Sequence, residues 1–395
     1  MIGIMISLAE AQSRLLALAV PVAIEDVPLL DANGRWLAAD IIAKRSQPAK
    51  TLSAMDGYAV RAGDGPSWNV IGESAAGRSF PGAINAGEAV RIFTGAALPE
   101  GSDAIVIQEN IVRDGDSIRQ TEGTAPAKGD HTRPAGSDFH AGDCLILAGS
   151  QIGPAKIALA AMGGYGTLPV RRKIRVVLLS TGDELMPPGS PVDDDHIPAS
   201  NGVMIAATLS GWPVEIVDPG IVPDTMEATR AAIAAARDAN VIVTIGGASV
   251  GDHDLVRPAL LAEGAVLDFW KVALRPGKPV MVGTLGNAIT LGLPGNPVSA
   301  FVTALLFLKP LIAALSGASA PLPEAESVTL GGSLPANGER LDFVRARFVD
   351  GRMEAVGTSD SAALSALSLA TALIIRQPGA PAAIPDEIVD IIRTA

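Results

Sequence analysis

Gly292-Leu-Pro-Gly-Asn-Pro-Val-Ser-Ala300 is the most informative stretch of this chain. It follows the apolar run 288–291, which is typical of a buried strand, and precedes the apolar segment 298–315, which is typical of a helix. Asn296 suits the N-cap position, and Pro297 suits the first helical position, where its missing N–H costs nothing. A strand, a tight turn and a helix start with available N–H groups form a natural seat for an anion.

Other strand-and-loop pairs surround this stretch. The apolar runs 175–179, 241–245 and 269–274 are followed by the loops Ser180-Thr-Gly-Asp-Glu184, Gly246-Gly-Ala-Ser-Val-Gly251 and Arg275-Pro-Gly-Lys-Pro279. Helical patterns at 201–209, 225–237, 254–263 and 298–315 alternate with these runs and with the strand-like run 214–217. This alternation predicts a three-layer α/β domain with a mostly parallel sheet. Loops at the carboxyl ends of such strands meet in one crevice, so we expect a single ligand site there.

The flanking sequence has a different character. Residues 26–169 alternate short β-like runs with Gly, Pro, Asp and Asn turns, and short alternating runs return at 327–395. The stretch 317–323 is typical of a linker. A chain of 395 residues is too long for one ordinary core, so several domains are expected.

Composition limits the classes of partner. The net charge of −12 argues against nucleic acid or an anionic membrane as the main partner, and a phosphorylated substrate would need a local basic pocket or a metal ion. Cys144 is the only cysteine, which fits a reducing compartment. The first residues lack a signal-peptide pattern, and Ser7 with Glu10 instead predicts a capping box for a helix. We therefore expect a cytoplasmic protein with no membrane span.

Three motifs before residue 140 have both an ordinary and a functional explanation. Asp56-Gly57 lies between strand formers, and by itself this pair favours a type I′ hairpin turn over a carboxylate site. Thr94 and Gly95 could offer a hydroxyl and an amide to an oxyanion, or could form a plain loop. Asp138 follows Arg133 in a loop where solvation alone is the default explanation.

The acidic and basic residues of the α/β region are more informative. Asp183 and Glu184 are adjacent carboxylates after a buried strand, which fits either a Mg²⁺ site or a helix N-terminus. Asp224 could be only the N-cap of the helix 225–237. Lys278 lies in a loop restricted by neighbouring prolines, where a functional role is favoured over a plain surface position.

The residues now quoted closely resemble those of the MoeA family, the molybdopterin molybdenumtransferases, whose animal relative is the E domain of gephyrin. The resemblance is carried by six motifs in the right order, at 53–60, 93–109, 180–185, 246–254, 270–279 and 292–300. It implies α/β plus β-rich domains. These are a linker domain with helices (1–45 and 141–170), an inserted β-rich domain (46–140), an α/β molybdopterin-binding domain like the molybdopterin adenylyltransferases (171–318) and a small β-barrel-like C-terminal domain (325–395).

The resemblance also implies site residues. The predicted catalytic residues are Asp56, Thr94, Asp138, Glu184, Asp224, Asp254 and Lys278. The predicted pterin and phosphate loops contribute Ser180, Thr181, Gly182, Gly246, Gly247, Ser249, Gly251, Pro276, Gly277, Pro294, Gly295, Asn296, Pro297 and Ser299. The predicted Mg²⁺ ligands are Glu184 and Asp254. One departure is Ala199, which stands where the family often has an aspartate, so an acidic contact is missing there.

The implied reaction is a late step of molybdenum cofactor synthesis. Adenylylated molybdopterin is bound, molybdate is inserted at its dithiolene, and AMP is released with the help of Mg²⁺. The resemblance implies a homodimer whose site lies at the interface, with the α/β domain of one chain facing the inserted domain of the other. It also implies transient contacts with molybdopterin adenylyltransferase and with acceptor molybdoenzymes. The alternatives are molybdopterin adenylyltransferase itself and a non-catalytic scaffold like gephyrin.

Overall fold

A computed structural model of the chain describes residues 5–247, 255–357 and 360–394. Its strands form separate sheets, with a large α/β unit between smaller β-rich units. The arrangement agrees with a chain made of several domains that include a central α/β domain. The division into four domains at the boundaries given above stays a prediction.

The N-terminal linker region consists of short helices and strand pairs. The helix Leu8–Ala17 begins after Ser7, whose Oγ accepts a hydrogen bond from the amide of Glu10 at 3.2 Å, as the sequence predicts. The helix Pro154–Met162 begins where Gly153 takes the N-cap position and proline the first helical position. Antiparallel pairs join Ile24–Pro28 to Thr167–Arg171 and Ile41–Ile42 to Cys144–Ile146, and a 3₁₀ turn occupies Leu29–Ala32. Another 3₁₀ turn, Gln108–Asn110, belongs to the inserted region.

The inserted region forms, within the described ranges, a six-stranded sheet. Its strands in spatial order are Ala104–Ile107, Gly57–Val60, Glu88–Ile92, Ser67–Ser74, Ser117–Gln120 and Ile111–Asp114, and a separate pair joins Leu52–Ser53 to Thr132–Arg133. The hairpin favoured for Asp56-Gly57 is wrong, because Gly57 begins a strand that is paired on both sides. A Cβ at Gly57 would lie 2.1 Å from the carbonyl oxygen of Val106, so the backbones approach too closely for a side chain.

The central sheet has seven strands in the part of the chain that the structure describes. Its spatial order is Val214–Val217, Ile174–Thr181, Val241–Ile245, Ala288–Leu293, Pro279–Leu285 and Val266–Lys271, and Ile221–Val222 also pairs with Ile174–Thr181. The first four are parallel, whereas the last two run antiparallel to their neighbours. The prediction of a single strand at 269–274 is wrong, because this stretch contains two strands in different sheets. Val266–Lys271 is the edge strand of the central sheet, and Leu274–Arg275 pairs with the C-terminal unit.

Helices cover both faces of this sheet. In the strand Ile174–Thr181, Val176 and Leu178 belong to one core, whereas Val177 and Leu179 belong to the other, as the alternation of side chains along a strand requires. The first core contains the helix Ser200–Thr208 and the long segment composed of Pro297–Thr303, the π-helix Ala304–Leu308 and Lys309–Leu315. The second contains Met226–Ala235 and Val256–Ala262.

The long segment 297–315 is apolar enough to cross a membrane by length and composition, with a hydropathy of 2.1. In the structure, 83% of this window is buried inside the protein. Phe307 at its centre is fully buried against the parallel strands. The segment is therefore packed as the central helix of a globular core.

The C-terminal unit curls its strands around a small core. The strands are Glu326–Thr329, Leu341–Val349, Arg352–Ala355, Ala372–Arg376 and Ile388–Arg393, with one short helix at Leu364–Ser368 in the described part. A bridge between Leu330 and Met353 joins the first strand back to the third, which gives a barrel-like closure. The strand Leu274–Arg275 adds to this sheet in parallel with Leu341–Val349 and so ties it to the α/β unit.

Candidate functional site

A cleft of about 760 Å³ opens at the carboxyl ends of the parallel strands Ile174–Thr181, Val241–Ile245 and Ala288–Leu293. Most of the residues predicted for the pterin and phosphate loops line it. These lining residues are Ser180, Thr181, Gly182, Gly246, Gly247, Pro294, Gly295, Asn296, Pro297 and Ser299, and the carboxylates of Glu184 and Asp224 join them. The structure therefore brings the predicted α/β loops into one space.

The loop after Val241–Ile245 depends on glycine. Gly246 and Gly247 have φ angles of +90° and +61°, in the left-handed region that other residues avoid. A Cβ at Gly247 would lie 2.3 Å from Cγ2 of Val256, so the helix that follows packs directly against the bare backbone. Ser249, Gly251 and Asp254 of the predicted site lie outside the described residues.

The start of the long helix differs in detail from the prediction. Asn296 occupies the N-cap position and Pro297 the first helical position, but the side chain of Asn296 makes no capping hydrogen bond. Its Nδ2 instead donates to Oγ of Ser361 at 2.9 Å, and the amide of Val298 donates to the carbonyl of Ser361 at 3.0 Å. Asn201 Nδ2 donates to the carbonyl of Gly295 at 2.6 Å. The turn is therefore held from the C-terminal unit and from the neighbouring helix.

Two exposed carboxylates give the cleft its charge. Glu184 and Asp224 are the only charged side chains among the lining residues that the structure describes. Reciprocal hydrogen bonds join their loops, because the amide of Asp224 donates to Asp183 Oδ1 at 2.9 Å and the amide of Asp183 donates to Asp224 Oδ2 at 3.4 Å. The alternative of Asp224 as an N-cap is wrong, because Thr225 caps that helix through its Oγ1.

The donor chemistry of this cleft suits a hard cation. Magnesium is bound through one or two carboxylates together with waters and substrate phosphates. Glu184 and Asp224 supply two such carboxylates, and no group of three His, Cys, Asp or Glu that could hold a metal occurs in the described ranges. The residues present therefore fit Mg²⁺ bound jointly with a phosphate-bearing ligand better than a metal enclosed by protein alone.

Asp56 and Thr94 lie on the inserted sheet and do not line the cleft. They form one unit, because Oδ1 of Asp56 accepts hydrogen bonds from the amide of Thr94 at 2.7 Å and from its Oγ1 at 2.9 Å. The amide bond, followed by the hydroxyl bond and the charge of Arg91, lowers the pKa of Asp56. The carboxylate is therefore held ionised at a partly exposed position.

Arg91 is a member of this cluster that the sequence did not reveal. Its guanidinium lies 5.2 Å from the ring centre of Tyr58 and 4.7 Å from that of Phe93. It donates to the carbonyl of Gly57 at 2.8 Å, next to Asp56 in the chain. In the sequence it occupies one position of an ordinary β-like run, and no local pattern distinguishes it from a solvated surface arginine.

We expect Thr94→Val to raise the pKa of Asp56 toward its ordinary value of 3.8, because one of its two hydrogen bonds is lost. Carboxyl ¹³C NMR with labelled aspartate measures this pKa, Asp56→Asn assigns the signal, and Ser102→Ala serves as a control hydroxyl deletion. Since folding lowers this pKa, its stabilisation is complete above the unfolded-state pKa and is lost as the pH falls through the folded-state pKa. An unchanged titration in Thr94→Val would show that the hydroxyl does not bond the carboxylate.

Other predicted residues also lie outside the cleft. Asp138 is exposed in a turn of the inserted region, where its amide donates to the carbonyl of Gln47 at 3.0 Å. Lys278 lines a shallow cavity with Arg275 and Arg340. Gly277 has a φ of +107°, and its loop packs on the long helix. Pro276 lines a second cavity next to the cleft.

This second cavity has about 270 Å³ and contains arginines that the sequence did not single out. Arg275 forms an ion pair with Asp342. Arg345 donates to the carbonyl of Ala363 at 2.9 Å; burial lowers its pKa, and the charge of Asp360 opposes this shift. Arg376 also lines the cavity. These arginines come from separate strands, so only the tertiary fold brings them together.

The cleft and the arginine cavity share a wall. Asn296 and Pro297 line the cleft, whereas Val298 lines the arginine cavity. Ser361 lines the cavity and bonds to both Asn296 and Val298 across this wall. An acidic space for a larger ligand therefore adjoins a smaller space rich in guanidinium groups.

Comparison with known proteins agrees with this architecture. Residues 6–164 match the MoeA N-terminal region (domain I and II), residues 177–314 match a probable molybdopterin binding domain, and residues 327–393 match the MoeA C-terminal region (domain IV). The chain is 39% identical to the molybdopterin molybdenumtransferase of Haemophilus influenzae over 79% of its length and 78% of that protein. It is 35% identical to the protein of the same name from Nostoc sp. over 89% of its length and 84% of that protein.

Solved structures agree as well. Two crystal structures of a molybdopterin biosynthesis MoeA protein from Pyrococcus horikoshii superpose with TM-scores of 0.82 and 0.85, at 25% and 24% identity. Each comparison covers 99% of this chain and 100% of the other. The multidomain fold is thus shared along the whole chain.

Proposed function

This chain belongs to the MoeA family of molybdopterin molybdenumtransferases, and from that premise we propose that it inserts molybdenum into adenylylated molybdopterin and releases AMP. The observation that carries the proposal is the cleft at the strand ends, where glycine loops and two carboxylates face an open space next to an arginine-lined cavity. The reaction is a late step of molybdenum cofactor biosynthesis. A cytoplasmic location and transient contacts with molybdopterin adenylyltransferase and acceptor molybdoenzymes belong to the same proposal.

The cleft suits the pterin nucleotide by size and polarity. Its volume of about 760 Å³ lies in the range of small-molecule sites. Ser180 and Thr181 offer hydroxyl groups, and the left-handed backbone of Gly246 and Gly247 lets the loop turn along the edge of the cleft. Because the described lining residues include no Lys or Arg, backbone and hydroxyl donors would carry the direct contacts to the pyrophosphate.

Glu184 and Asp224 would hold Mg²⁺ in this cleft. When bound, the ion would offset the charge of the pyrophosphate and stabilise the charge that develops on the departing AMP. Both carboxylates are exposed to the cleft, and the mutual hydrogen bonds of the Asp183 and Asp224 loops fix their spacing. Asp254, the other predicted ligand, remains part of the proposal.

Molybdate is a small dianion and requires a different environment. The carboxylates of the cleft repel it, whereas Arg275, Arg345 and Arg376 line the adjoining cavity of about 270 Å³. Asp342 and Asp360 lie in the same cavity, so the site would keep a modest positive charge. The shared wall at Val298 would place the molybdate next to the pterin end of the ligand.

A second copy of the chain would complete the site. In the Asp56–Thr94 unit on the inserted sheet, Thr94 is exposed and Asp56 is partly exposed, and neither residue lines the cleft of its own chain. Near that cleft, Ile197 and Val203 expose 55% and 58% of their surface, and a partner chain would remove this apolar surface from water. In a homodimer the inserted sheet of the partner would cover this edge. Asp56 and Thr94 would then position molybdate or the dithiolene.

An assay with purified protein tests the proposal. With adenylylated molybdopterin and Mg²⁺, AMP should appear after molybdate is added but not after sulfate, and metal analysis should find molybdenum in the pterin product. In equilibrium dialysis, Arg345→Met should retain less molybdate than the wild type. Adenylylation of molybdopterin from ATP would favour the adenylyltransferase alternative. Binding of the pterin nucleotide without turnover would favour a non-catalytic scaffold.

A further inference from the structure

A third cavity lies beside the long helix, at Leu305, Lys309 and Ala313. It has about 420 Å³ and is bounded by the linker 319–323, by Lys309 of the long helix and by Ile392 of the last strand. Its aromatic wall consists of Trp36 and Trp212, whose ring centres are 5.3 Å apart at an angle of 54°. The cavity therefore lies where three regions of the chain meet, and no step of the proposed reaction uses it.

The aromatic wall is unusual for this chain. Aromatic residues make up only 4% of the sequence, and two of its four tryptophans face each other here. Trp36 is almost fully buried, whereas Trp212 is partly open. Pro321 and Pro323 of the linker also line the cavity. These rigid apolar surfaces suit a flat ring, which can be bound with little loss of side-chain freedom.

Lys309 supplies a single positive charge. Its Nζ lies 5.0 Å from the ring centre of Trp212, and the side chain is half-buried. Within the ranges that the structure describes, no ion pair or hydrogen bond of its Nζ is present. Burial lowers the pKa of Lys309, because removal from water disfavours its charged form. Contact with Trp212 offsets only part of the cost of removing the ammonium from water.

The neighbouring guanidinium does not add a second available charge. Arg393 also lines the cavity, but its Nε and Nη2 donate to both carboxylate oxygens of Glu326 at 2.9–3.1 Å. Its other face lies 5.1 Å from the ring centre of Phe348. The cavity thus offers one ammonium beside an aromatic wall, which matches a monoanion better than a dianion.

We propose that this cavity binds a small aromatic monoanion, such as an aromatic carboxylate, with its ring against Trp36 and Trp212 and its charge on Lys309. The ligand would contact the long helix, the linker and the last strand together. It would therefore fasten the C-terminal unit to the α/β unit. The site is separate from the cleft and from the arginine cavity, so this inference does not depend on the proposed reaction.

Isothermal titration calorimetry with 2-naphthoate tests the proposal, with the neutral 2-naphthamide as the matched ligand. We expect one equivalent of naphthoate to bind the wild type. The amide should bind at least about tenfold more weakly, since a charge-assisted contact is worth on the order of one such factor or more. Lys309→Met should lose the same factor, and Trp212→Leu should also weaken binding.

Two controls separate this site from non-specific adsorption. Lys309→Arg keeps the charge and should retain binding, whereas Lys128→Met removes an exposed lysine of the inserted region and should change nothing. Circular dichroism should give the same spectrum for all variants. Failure of the wild type to bind naphthoate at millimolar concentration, or equal affinity in Lys309→Met, would overturn the proposal and would mean that Lys309 is satisfied by Trp212 alone.

Discussion

Replacing Glu184 by alanine lowers Mg²⁺-dependent AMP release by about a hundredfold or more, because a metal ion at a phosphoryl group supplies several kcal/mol of stabilisation to the transition state. Glu184 is exposed in the cleft, and its removal leaves no buried group without a partner. The variant should therefore fold and assemble like the wild type. Single-turnover release of AMP at several Mg²⁺ concentrations measures the effect.

The variant Glu215→Ala provides a matched control, since Glu215 is an exposed carboxylate on an edge strand of the same sheet and does not line the cleft. It should release AMP at the wild-type rate. Sedimentation should give one mass for the wild type and both variants. If Glu184→Ala retains the wild-type rate and the wild-type dependence on Mg²⁺, then Glu184 does not hold the metal.

The second large effect is recovery of activity in a mixed dimer. Asp56→Asn and Glu184→Ala should each be nearly inactive as homodimers. If each site combines Glu184 of one chain with Asp56 of the other, a heterodimer of the two variants has one site with both defects and one intact site. Two-fold symmetry therefore predicts about half of the wild-type activity per dimer. Co-expression with two different tags, followed by purification through both, provides this heterodimer for the AMP release assay.

The same experiment distinguishes the arrangement within one chain. If Asp56 and Glu184 of a single chain share a site, both sites of the heterodimer carry one defect and the activity stays at the level of the homodimeric variants. High activity of the Asp56→Asn homodimer would show that Asp56 is not part of the active site. A preparation that sediments as a monomer while fully active would contradict the shared site directly.

The parallel core of the fold could be predicted because its strands are continuous apolar runs. Ile174–Thr181 and Val241–Ile245 are buried on both faces or nearly so, and runs of this kind are distinctive in a sequence. The edge strand Val214–Val217 is only partly buried. The strand Pro279–Leu285 was missed, because Pro279 and Gly283 interrupt its pattern. A two-residue connection at 286–287 joins it to the next strand, and the Gly-Asn pair there was an available hairpin signal.

The sequence predicted only those parts of the candidate site whose positions are set by the order of strands and loops. The loops after parallel strands must meet at one edge of the sheet, so the positions of Ser180, Gly246 and Gly295 follow from topology. Arg345 and Arg376 approach Arg275 only because distant strands of the C-terminal unit fold beside the α/β unit. The periodicity of apolar residues along the sequence does not show which distant side chains come together. Likewise, no spacing rule reveals that Arg91 stacks beside Asp56.

The strand Leu274–Arg275 affects how the protein folds during translation. It is synthesised well before its partner Leu341–Val349, so during translation the backbone N–H and C=O groups that pair with this strand lack their partners. Because this strand is only two residues long, it offers few hydrogen bonds for incorrect pairing with a strand of a neighbouring nascent chain. The C-terminal strands then pair with a strand that was synthesised earlier. A C-terminal fragment made without Leu274–Arg275 would lack one strand of its sheet.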